Sequence, residues 1–257
     1  MDPRSRFSDR VENYVSSRPG YPQGVLDILR QATALTVQTR IADVGSGTGL
    51  SAELFLKNGN TVIGVEPNEA MRREAERRLE QYPGFRSVNG SAEATTLESY
   101  SVDQVIAGQS FHWFVPQLAR EEFARILEPG GWVVLMWNRR RLDSSPFLRA
   151  YEALLQQFGT DYREVQHSNV DLARLREFFA EEEFFRFTLY NEQLFDLDGL
   201  RARLLSSSYT PTATDPTHQP MLRELERVFE QHAEEGRVHF EYDVEIYVGH
   251  VTSTASA

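Results

Sequence analysis

The sequence contains no cysteine, so it offers neither disulfide bonds nor thiolate ligands for a metal ion. Long apolar runs are also absent. The longest uninterrupted one is Trp132–Trp137, whereas a membrane-spanning helix needs roughly 20 such residues. The segment Met1–Arg10 lacks the apolar core of a signal peptide. We therefore expect a protein of the reducing cytoplasm that does not enter a membrane.

Basic residues are scarce relative to acidic ones. Lysine and arginine total 27 against 38 aspartates and glutamates, which gives a net charge of −11. Proteins that bind nucleic acid replace phosphate counterions with Lys and Arg, so this balance argues against a nucleic-acid partner and against an anionic membrane surface. The densest basic cluster is Arg139-Arg140-Arg141. It is either a site for an acidic substrate or a solvated surface, and the second interpretation is favoured.

Two catalytic arrangements are missing from the sequence. The six histidines show no close metal-ligand spacing, so no metal dependence is indicated. No Gly-x-Ser-x-Gly elbow occurs either, which argues against a hydrolase of that kind.

Between residues 40 and 137, short apolar runs alternate with helical patterns. The predicted strands are Arg40–Val44, Thr61–Glu66, Phe85–Asn89, Val102–Ala107 and Trp132–Trp137. The predicted helices are Thr48–Asn58, Asn68–Gln81 and Pro116–Leu127, with Asn68 placed to cap the second. Alternating strands and helices predict parallel pairing with right-handed crossovers, and hence a doubly wound α/β sheet.

The last third of the chain has a different pattern. It contains four predicted helices, which are Pro146–Phe158, Val170–Glu182, Leu197–Ser206 and Gln219–Glu235. It also contains two predicted strands, Phe185–Phe195 and Val238–Val251. The second alternates apolar and charged residues, which is typical of an antiparallel strand near a sheet edge. Two strands separated by two helices predict a hairpin-like pair with a helical insertion that can act as a lid.

A glycine-rich loop, Asp43–Gly49, follows the first predicted strand and precedes a helix. Glycine lets the backbone turn sharply and lets a ligand approach without a Cβ in the way. Glu66 ends the second predicted strand, where a carboxylate can accept hydrogen bonds from both hydroxyls of a ribose. The two features lie at adjacent carboxyl ends of parallel strands, which is where open α/β sheets bind ligands. The pattern predicts a nucleoside cofactor.

The spacing of the glycines favours S-adenosylmethionine over a dinucleotide. A dinucleotide loop reads G-x-G-x-x-G, and Leu50 stands where its last glycine belongs. Asp43 is poorly placed to meet a pyrophosphate but suits a ligand with an ammonium group. We expect Asp43 near the cofactor's amino group and Glu66 on its ribose. A nicotinamide-dependent oxidoreductase is the disfavoured alternative.

At these positions the chain resembles the class I methyltransferases. Asp43–Gly49 is similar to their first motif, and Gly64-Val65-Glu66-Pro67 is similar to the motif of their second strand. Gly90-Ser91-Ala92-Glu93 resembles the segment beside the adenine, and Leu127–Gly131 resembles the turn before the fifth strand. Ser46 stands where the family often has cysteine, which is a conservative difference.

Two further stretches resemble small-molecule methyltransferases related to trans-aconitate methyltransferase. The first is the opening segment, with Phe7, Tyr14, Arg18, Pro19, Tyr21 and Pro22. The second is Gln109-Ser110-Phe111-His112-Trp113-Phe114, after the fourth strand. This resemblance implies a Rossmann-like, seven-stranded sheet with an antiparallel last strand, in agreement with the pattern of Val238–Val251.

The expected site residues fall into three groups. The cofactor-binding group is Asp43, Gly45, Ser46, Gly47, Gly49, Glu66, Pro67, Ala92, Glu93 and Gln109. The group for the substrate or cap is Tyr14, Arg18, Tyr21, Trp113 and Tyr209. His112 is the catalytic candidate, as a base or as a group that orients the acceptor. The alternative for His112, Trp113 and the opening segment is packing alone.

We expect one methyltransferase domain over 1–257. Its cofactor-binding core is 35–138, its cap and lid elements are 1–30 and 140–236, and its closing strand is 237–251. The expected function is in-line methyl transfer to a small-molecule acceptor, and the resemblance favours a small acid and its carboxylate. The alternative is a non-catalytic subunit of the same fold that binds the cofactor. The oligomeric state stays open.

Overall fold

The computed structural model describes residues 18–160, 162, 172–179, 183–207 and 209–252. The strands are β1 Arg40–Val44, β2 Thr61–Val65, β3 Phe85–Val88, β4 Val102–Gly108, β5 Leu127–Arg140, β6 Phe184–Phe195 and β7 Val238–Gly249. The α-helices are α1 Gly24–Thr33, α2 Leu50–Lys57, α3 Glu69–Leu79, α4 Pro116–Ile126, α5 Pro146–Phe158, α6 Leu172–Phe179, α7 Leu197–Leu205 and α8 His218–His232. No helix of the described ranges is long and apolar enough to cross a membrane.

All seven strands belong to one sheet, in the order β3-β2-β1-β4-β5-β7-β6. Strands β1 to β5 pair in parallel. Strand β7 is antiparallel to both of its neighbours, β5 and β6. The predicted doubly wound sheet with an antiparallel last strand is therefore confirmed. β7 lies one strand in from the edge, and β6 forms the edge itself.

Most strand bounds agree with the sequence pattern, but β5 is longer than expected at both ends. It begins at Leu127 because that residue already pairs with Val102, before an irregularity in the register between Val102 and Gln104. It ends at Arg140 because the antiparallel pairing with β7 continues to Tyr242. Pairing between distant segments sets these bounds, so they cannot be predicted from the periodicity of β5 alone.

Helix α1 was not predicted. It lies across the end of the segment 1–30, which the sequence suggested as a cap, and it buries Val25, Leu26 and Leu29 completely or nearly so. These side chains belong to the same core cluster as residues of α2, β1 and β7. Residues of the opposite face of the sheet pack with α4 and α6. The two faces are therefore both covered, as the doubly wound fold requires.

A third, smaller core lies beyond the sheet. Residues of α5, α7 and α8 pack there around Phe195 at the end of β6 and around Val238, Phe240 and Tyr242 at the start of β7. The helices α7 and α8 are the insertion between the two late strands, as the sequence predicted. Because β7 runs antiparallel to β5, its start lies at the same sheet edge as the end of β5. This helical cluster therefore adjoins the edge that carries the glycine loop.

Gly49 is required where the loop meets α2. Its φ is +81°, and a Cβ there would lie 2.5 Å from Cδ1 of the buried Leu79. We expect Gly49→Ala to destabilise the protein by about 1–3 kcal/mol more than Gly130→Ala, because overpacking is added to backbone strain. Gly130 is the matched control, since its φ is +80° and nothing lies within 4 Å of its added Cβ. Denaturant unfolding measures both variants, and equal losses would contradict the packing argument.

Candidate functional site

The glycine loop is anchored to the neighbouring strand and presents one open side. The amides of Gly45 and Ser46 both donate to the carbonyl of Val65, at 2.8 and 3.2 Å. Gly47 has a φ of +54°, and a Cβ added there would find no heavy atom within 4 Å. A backbone without a side chain therefore faces open space at Gly47, and a ligand can approach the loop closely from that side.

Glu66 holds the loop against the start of α3. Its Oε2 accepts from the amide of Gly47 at 3.0 Å, and its Oε1 accepts from the amide of Asn68 at 2.9 Å. Asn68 caps α3 as predicted, because its side chain accepts from the amide of Met71. Burial raises the pKa of Glu66, while the two amides and the charge of Arg72 oppose that rise. Pro67 lies between these two residues and is half-buried.

Arg72 belongs to this site, although the sequence analysis did not include it. Its Nη1 donates to the carbonyl of Glu66 at 2.8 Å and to Oδ1 of Asn89 at 3.2 Å. It thus ties the end of β2 to the residue after β3. One signal was available, because Arg72 lies one helical turn after the cap residue Asn68 and therefore faces the same end of the sheet.

Asp43 lies beneath the loop and is completely buried. Its Oδ2 accepts from the hydroxyl of Ser51 at 2.6 Å, while its Oδ1 is buried and has no hydrogen-bond partner among the described residues. Burial raises the pKa of this carboxyl to about 7, against the opposing effects of the Ser51 hydroxyl and the backbone amide of Ala52. A buried acceptor without a partner suits a cationic ligand group. The residues present therefore fit a cofactor that carries an ammonium group.

The segment after β3 closes a second wall. Ser91 and Ala94 form an isolated antiparallel bridge, and the side chain of Ala92 is buried in the core. Oε1 of Glu93 accepts from the amide of Val115 at 2.9 Å, just before α4 begins. Glu93 therefore ties this segment to the loop after β4. The structure brings it to the same edge of the sheet as Glu66, as expected for both.

The residues after β4 are fastened to two neighbouring strands. Gln109 has a φ of +59°, which is uncommon for a residue other than glycine. Its amide donates to the carbonyl of Met136 at 2.9 Å and its Nε2 to the carbonyl of Asn138 at 3.2 Å, both in β5. Ser110 donates its hydroxyl to the carbonyl of Val44 at 2.8 Å. The turn after β4 therefore lies against the glycine loop.

His112 and Trp113 lie on a 3₁₀ turn, Phe111–Trp113, whose first residue is buried in the core. The rings of His112 and Trp113 are 4.6 Å apart, and Trp113 is 41% exposed. Burial, aided by the nearby charge of Arg174, lowers the pKa of His112 to about 4. His112 is therefore a neutral imidazole near pH 7, which can orient a hydroxyl but is a weak base.

Arg174 was also missing from the sequence-based set. It lies on α6, and its Nη2 donates to the carbonyl of Phe114. Its guanidinium stands 5.6 Å from the ring centroid of Phe111. This contact spans 60 residues of sequence, so no local pattern signals it.

Part of the predicted cap does reach this edge of the sheet. Tyr21 donates its hydroxyl to the carbonyl of Met136 at 3.4 Å. Arg18 donates to the carbonyl of Ser206, at the end of α7, at 3.2 Å. The segment that carries Arg18 and Tyr21 therefore bridges β5 and the helical insertion. Tyr14 lies outside the described residues.

Two asparagines that the sequence analysis missed hold this segment. Nδ2 of Asn138 and Nδ2 of Asn191 donate to the carbonyl of Gly20 at 3.3 and 3.0 Å, and Asn191 also donates to Oδ1 of Asn138 at 2.8 Å. Tyr209, by contrast, packs inside the helical cluster, with its ring 5.0 Å from that of Tyr162. No contact of Tyr209 with the glycine loop is seen in the part of the chain that the structure describes.

The three consecutive arginines at the end of β5 are all ion-paired. Arg139 pairs with Glu245 at 3.3 Å and Arg141 with Asp243 at 2.7 Å. The side chain of Arg140 is only 10% exposed and pairs with Glu152. The favoured interpretation of a solvated surface is therefore wrong for Arg140. Alternation along β5 turns it to the face opposite Arg139 and Arg141, towards the helical cluster.

The chain is similar to proteins that are named as methyltransferases. Residues 42–135 match the family model of a methyltransferase domain. An uncharacterized methyltransferase of Mycobacterium bovis is 36% identical over 134 residues, which are 52% of this chain and 52% of that protein. An uncharacterized methyltransferase-like protein of Schizosaccharomyces pombe is 30% identical over 156 residues, 60% of this chain and 59% of that protein. The chain thus spans little more than half the length of the curated relatives it matches.

Solved structures agree on the fold. A protein named as a type II methyltransferase from Anaeromyxobacter dehalogenans superposes with a TM-score of 0.65 at 19% identity, over 91% of this chain and 98% of that one. A geranyl diphosphate methyltransferase in complex with S-adenosylmethionine gives a TM-score of 0.50 at 16% identity, over 89% of this chain and 85% of that one. The predicted class I methyltransferase fold is confirmed. The trans-aconitate-related subgroup stays a prediction.

The buried carboxyl of Asp43 gives a pH dependence of known sign. Its pKa is about 7 in the folded chain against an ordinary value of 3.8, so its stabilising effect is present below pH 3.8 and is lost as the pH rises through about 7. We expect the free energy of unfolding of the wild type to fall, relative to Asp43→Asn, across this interval. Denaturant unfolding over a pH series measures the difference.

Asp103→Asn is a control of opposite sign for that series. Arg40 lowers the pKa of Asp103, so its contribution is present above the ordinary pKa and is lost as the pH falls. If Asp43→Asn and the wild type kept a constant difference in stability, Asp43 would not be the buried group described above.

His112 gives a second, independent test. We expect its imidazole to stay neutral down to about pH 4, because burial disfavours the charged form. An NMR titration of the histidine Cε1–H signals, assigned by loss of one signal in His112→Asn, measures the midpoint. Arg174→Met is expected to raise that midpoint by removing the nearby positive charge. A wild-type midpoint near the ordinary value of 6.5 would refute the burial of His112.

Proposed function

We propose that the protein transfers a methyl group from S-adenosylmethionine to a small-molecule acceptor. The observation that carries this proposal is the joint placement of an open glycine backbone at Gly47, a carboxylate at Glu66 and a buried acidic oxygen at Asp43. These three groups surround one end of the parallel strands, where ligands of such sheets bind. Asp43 suits the ammonium group of the cofactor, Glu66 suits the hydroxyls of its ribose, and Gly47 lets the cofactor approach the loop closely.

Each of these residues has capacity left for the cofactor. Both oxygens of Glu66 accept one backbone amide each, and a carboxylate oxygen has a further lone pair for a ribose hydroxyl. Oδ1 of Asp43 has no partner among the described residues, so an ammonium group would satisfy it and favour its ionised form. The segment with Ala92 and Glu93 would border the adenine, and Pro67 and Gln109 would flank the same space.

The reaction proposed is an in-line displacement, for which the bound cofactor supplies an activated methyl group on a sulfonium. The protein contributes mainly position and the exclusion of water. Arg18 and Tyr21 hold the opening segment over the carboxyl end of β5, which closes one side. Trp113 is half exposed on the turn after β4. Its ring can pack against the acceptor or face the sulfonium of the cofactor.

His112 is proposed to orient the acceptor rather than to deprotonate it. An imidazole with a pKa of about 4 takes up a proton poorly near pH 7, but its neutral ring both donates and accepts hydrogen bonds. An acceptor that is already ionised, such as a carboxylate, needs no base. This agrees with the small acid that the opening segment and the stretch Gln109–Phe114 favour as the acceptor.

We propose separate roles for the sheet core and for the segments around it. The core 35–138 binds the cofactor, the segments 1–30 and 140–236 form the cap and lid, and 237–251 closes the sheet. The family match covers residues 42–135 and leaves out the helical insertion. We infer that acceptor choice depends on residues that this family match does not cover.

Cofactor binding is tested by blocking the open side of the loop. We expect S-adenosylmethionine to raise the melting temperature of the wild type and to leave that of Gly47→Arg unchanged, because the new side chain would occupy the cofactor's space. Gly236→Arg is the matched control, since Gly236 also has a positive φ (+74°) and nothing within 4 Å of its added Cβ. It carries the same backbone strain and is expected to keep the wild-type response.

The outcomes separate the candidate functions. Stabilisation lost only in Gly47→Arg supports binding in the glycine loop. Stabilisation by NAD in place of S-adenosylmethionine would indicate the oxidoreductase alternative. Equal stabilisation by the methylated and demethylated cofactor, with no turnover of any acceptor, would indicate the non-catalytic subunit.

A further inference from the structure

A second cluster of buried charge lies in the helical part of the molecule, beyond the end of β5. Arg203 of α7 is only 6% exposed, and Tyr151 and Tyr242 beside it are 1% exposed. Arg140, at the end of β5, faces the same cluster. The two guanidinium carbons stand 5.9 and 5.3 Å from the ring centroid of Phe240, and that of Arg140 is 5.3 Å from the ring of Tyr151.

Among the described residues, Arg203 has only neutral partners. Its Nε donates to the hydroxyl of Tyr242 at 3.4 Å, and its Nη1 donates to the hydroxyl of Ser207 at 3.2 Å. No acidic side chain of the described residues pairs with it. A guanidinium stays charged in proteins, and a buried charge without a counter-charge is costly unless another group compensates it.

The neighbouring acid does not balance the cluster. Glu152 accepts from Nη2 of Arg140 at 2.5 Å and from the hydroxyl of Tyr162 at 2.5 Å. Among the described residues, one carboxylate therefore faces two guanidinium groups. Two further polar atoms are buried without a hydrogen-bond partner among the described residues, which are Nη1 of Arg140 and the hydroxyl of Tyr151. The cluster has an excess of positive charge and of hydrogen-bond donors.

We propose that Arg140, Arg203 and Tyr151 bind an oxyanion of the methyl acceptor, a carboxylate or a phosphate. Guanidinium groups match the planar, multiple acceptors of these anions. An anion placed among the three would supply the missing negative charge and would accept from the two unpartnered atoms. This anion anchors the acceptor and is separate from the atom that receives the methyl group.

The location of the cluster suits an anchor for the acceptor. Arg140 follows Asn138 by two residues along β5, or about 7 Å, and the carbonyl of Asn138 accepts from Gln109 in the proposed cofactor site. On the other side, Ser206 follows Arg203 closely and accepts from Arg18 of the opening segment. A surface cleft of about 370 Å³ is lined by Arg140 and Glu152 together with Arg139, Arg149, Asp143 and Asp243. The inference that the anion belongs to an acceptor rests on the proposed function; the anion site itself does not.

The test is a thermal-shift titration of the full chain with sodium glutarate and with sodium phosphate. Glutaramide serves as the neutral counterpart of glutarate, and sodium chloride keeps the ionic strength constant. We expect a saturable rise in the wild-type melting temperature with at least one of the two anions and none with glutaramide. Glutarate alone would identify a carboxylate site, and phosphate alone would identify a phosphoryl site.

Three variants identify the residues. Arg203→Met is expected to abolish the rise and, without anion, to be at least as stable as the wild type, because an apolar chain replaces an uncompensated charge. Arg201→Met is the matched control on the same helix, since Arg201 pairs with Asp198 and Glu226 at a partly exposed position; it is expected to keep the rise. Tyr151→Phe removes one unpartnered hydroxyl. It is expected to weaken the binding of the anion about tenfold without loss of protein stability.

The contrary results are equally definite. No rise with either anion, an equal rise with glutaramide, or a rise that persists in both Arg203→Met and Tyr151→Phe would overturn the site. Should Arg203→Met fail to fold, Tyr151→Phe decides alone. Stabilisation by S-adenosylmethionine, measured on the same samples, separates the two proposals. A cofactor shift without an anion shift refutes only the anion site, and an anion shift without a cofactor shift refutes only the proposed function.

Discussion

The site depends on the two hydrogen bonds that the carboxylate of Glu66 accepts from backbone amides. A loop with three positive φ angles, at Gly45, Gly47 and Gly49, has little regular hydrogen bonding of its own. Glu66 accepts from the amide of Gly47 with one oxygen and from the amide of Asn68, at the start of α3, with the other. It thus fixes the loop of β1 to the end of β2. Because charged hydrogen bonds to amides are stronger than neutral ones, one side chain can hold this geometry and still face a ligand.

Much of this arrangement could be predicted from the sequence. Buried parallel strands are short apolar runs, so β1 to β4 are visible locally, and the glycine spacing with Glu66 defines the cofactor edge. What could not be predicted depends on distant contacts. The sequence before α1 carries no turn signal that would mark where the cap ends and the helix begins. Asn138 and Asn191 acquire their role only because β5 and β6 bring both side chains to the carbonyl of Gly20.

The arginines at the end of β5 show the same limit on sequence-based prediction. Three consecutive basic residues form one surface cluster in the sequence, but a strand turns alternate residues to opposite faces. Arg139 and Arg141 therefore find Glu245 and Asp243 on one face, while Arg140 enters the helical core with Glu152. The opposite orientations of these arginines follow from the extension of β5 to Arg140, and the pairing of β5 with β7 sets that extension.

The two buried sites are complementary in charge. Asp43 is a buried acid whose negative charge has no positive partner among the described residues. The cluster of Arg140 and Arg203 is basic and has fewer carboxylates than guanidinium groups among those residues. Hydrophobic residues in either place would be more favourable for the folded chain alone, so the stability of the fold does not account for them. A cofactor with an ammonium group beside Asp43 and an acceptor with an oxyanion beside Arg203 would remove both costs. Under the proposed function, each ligand would then be selected by the charge that the protein alone leaves unbalanced.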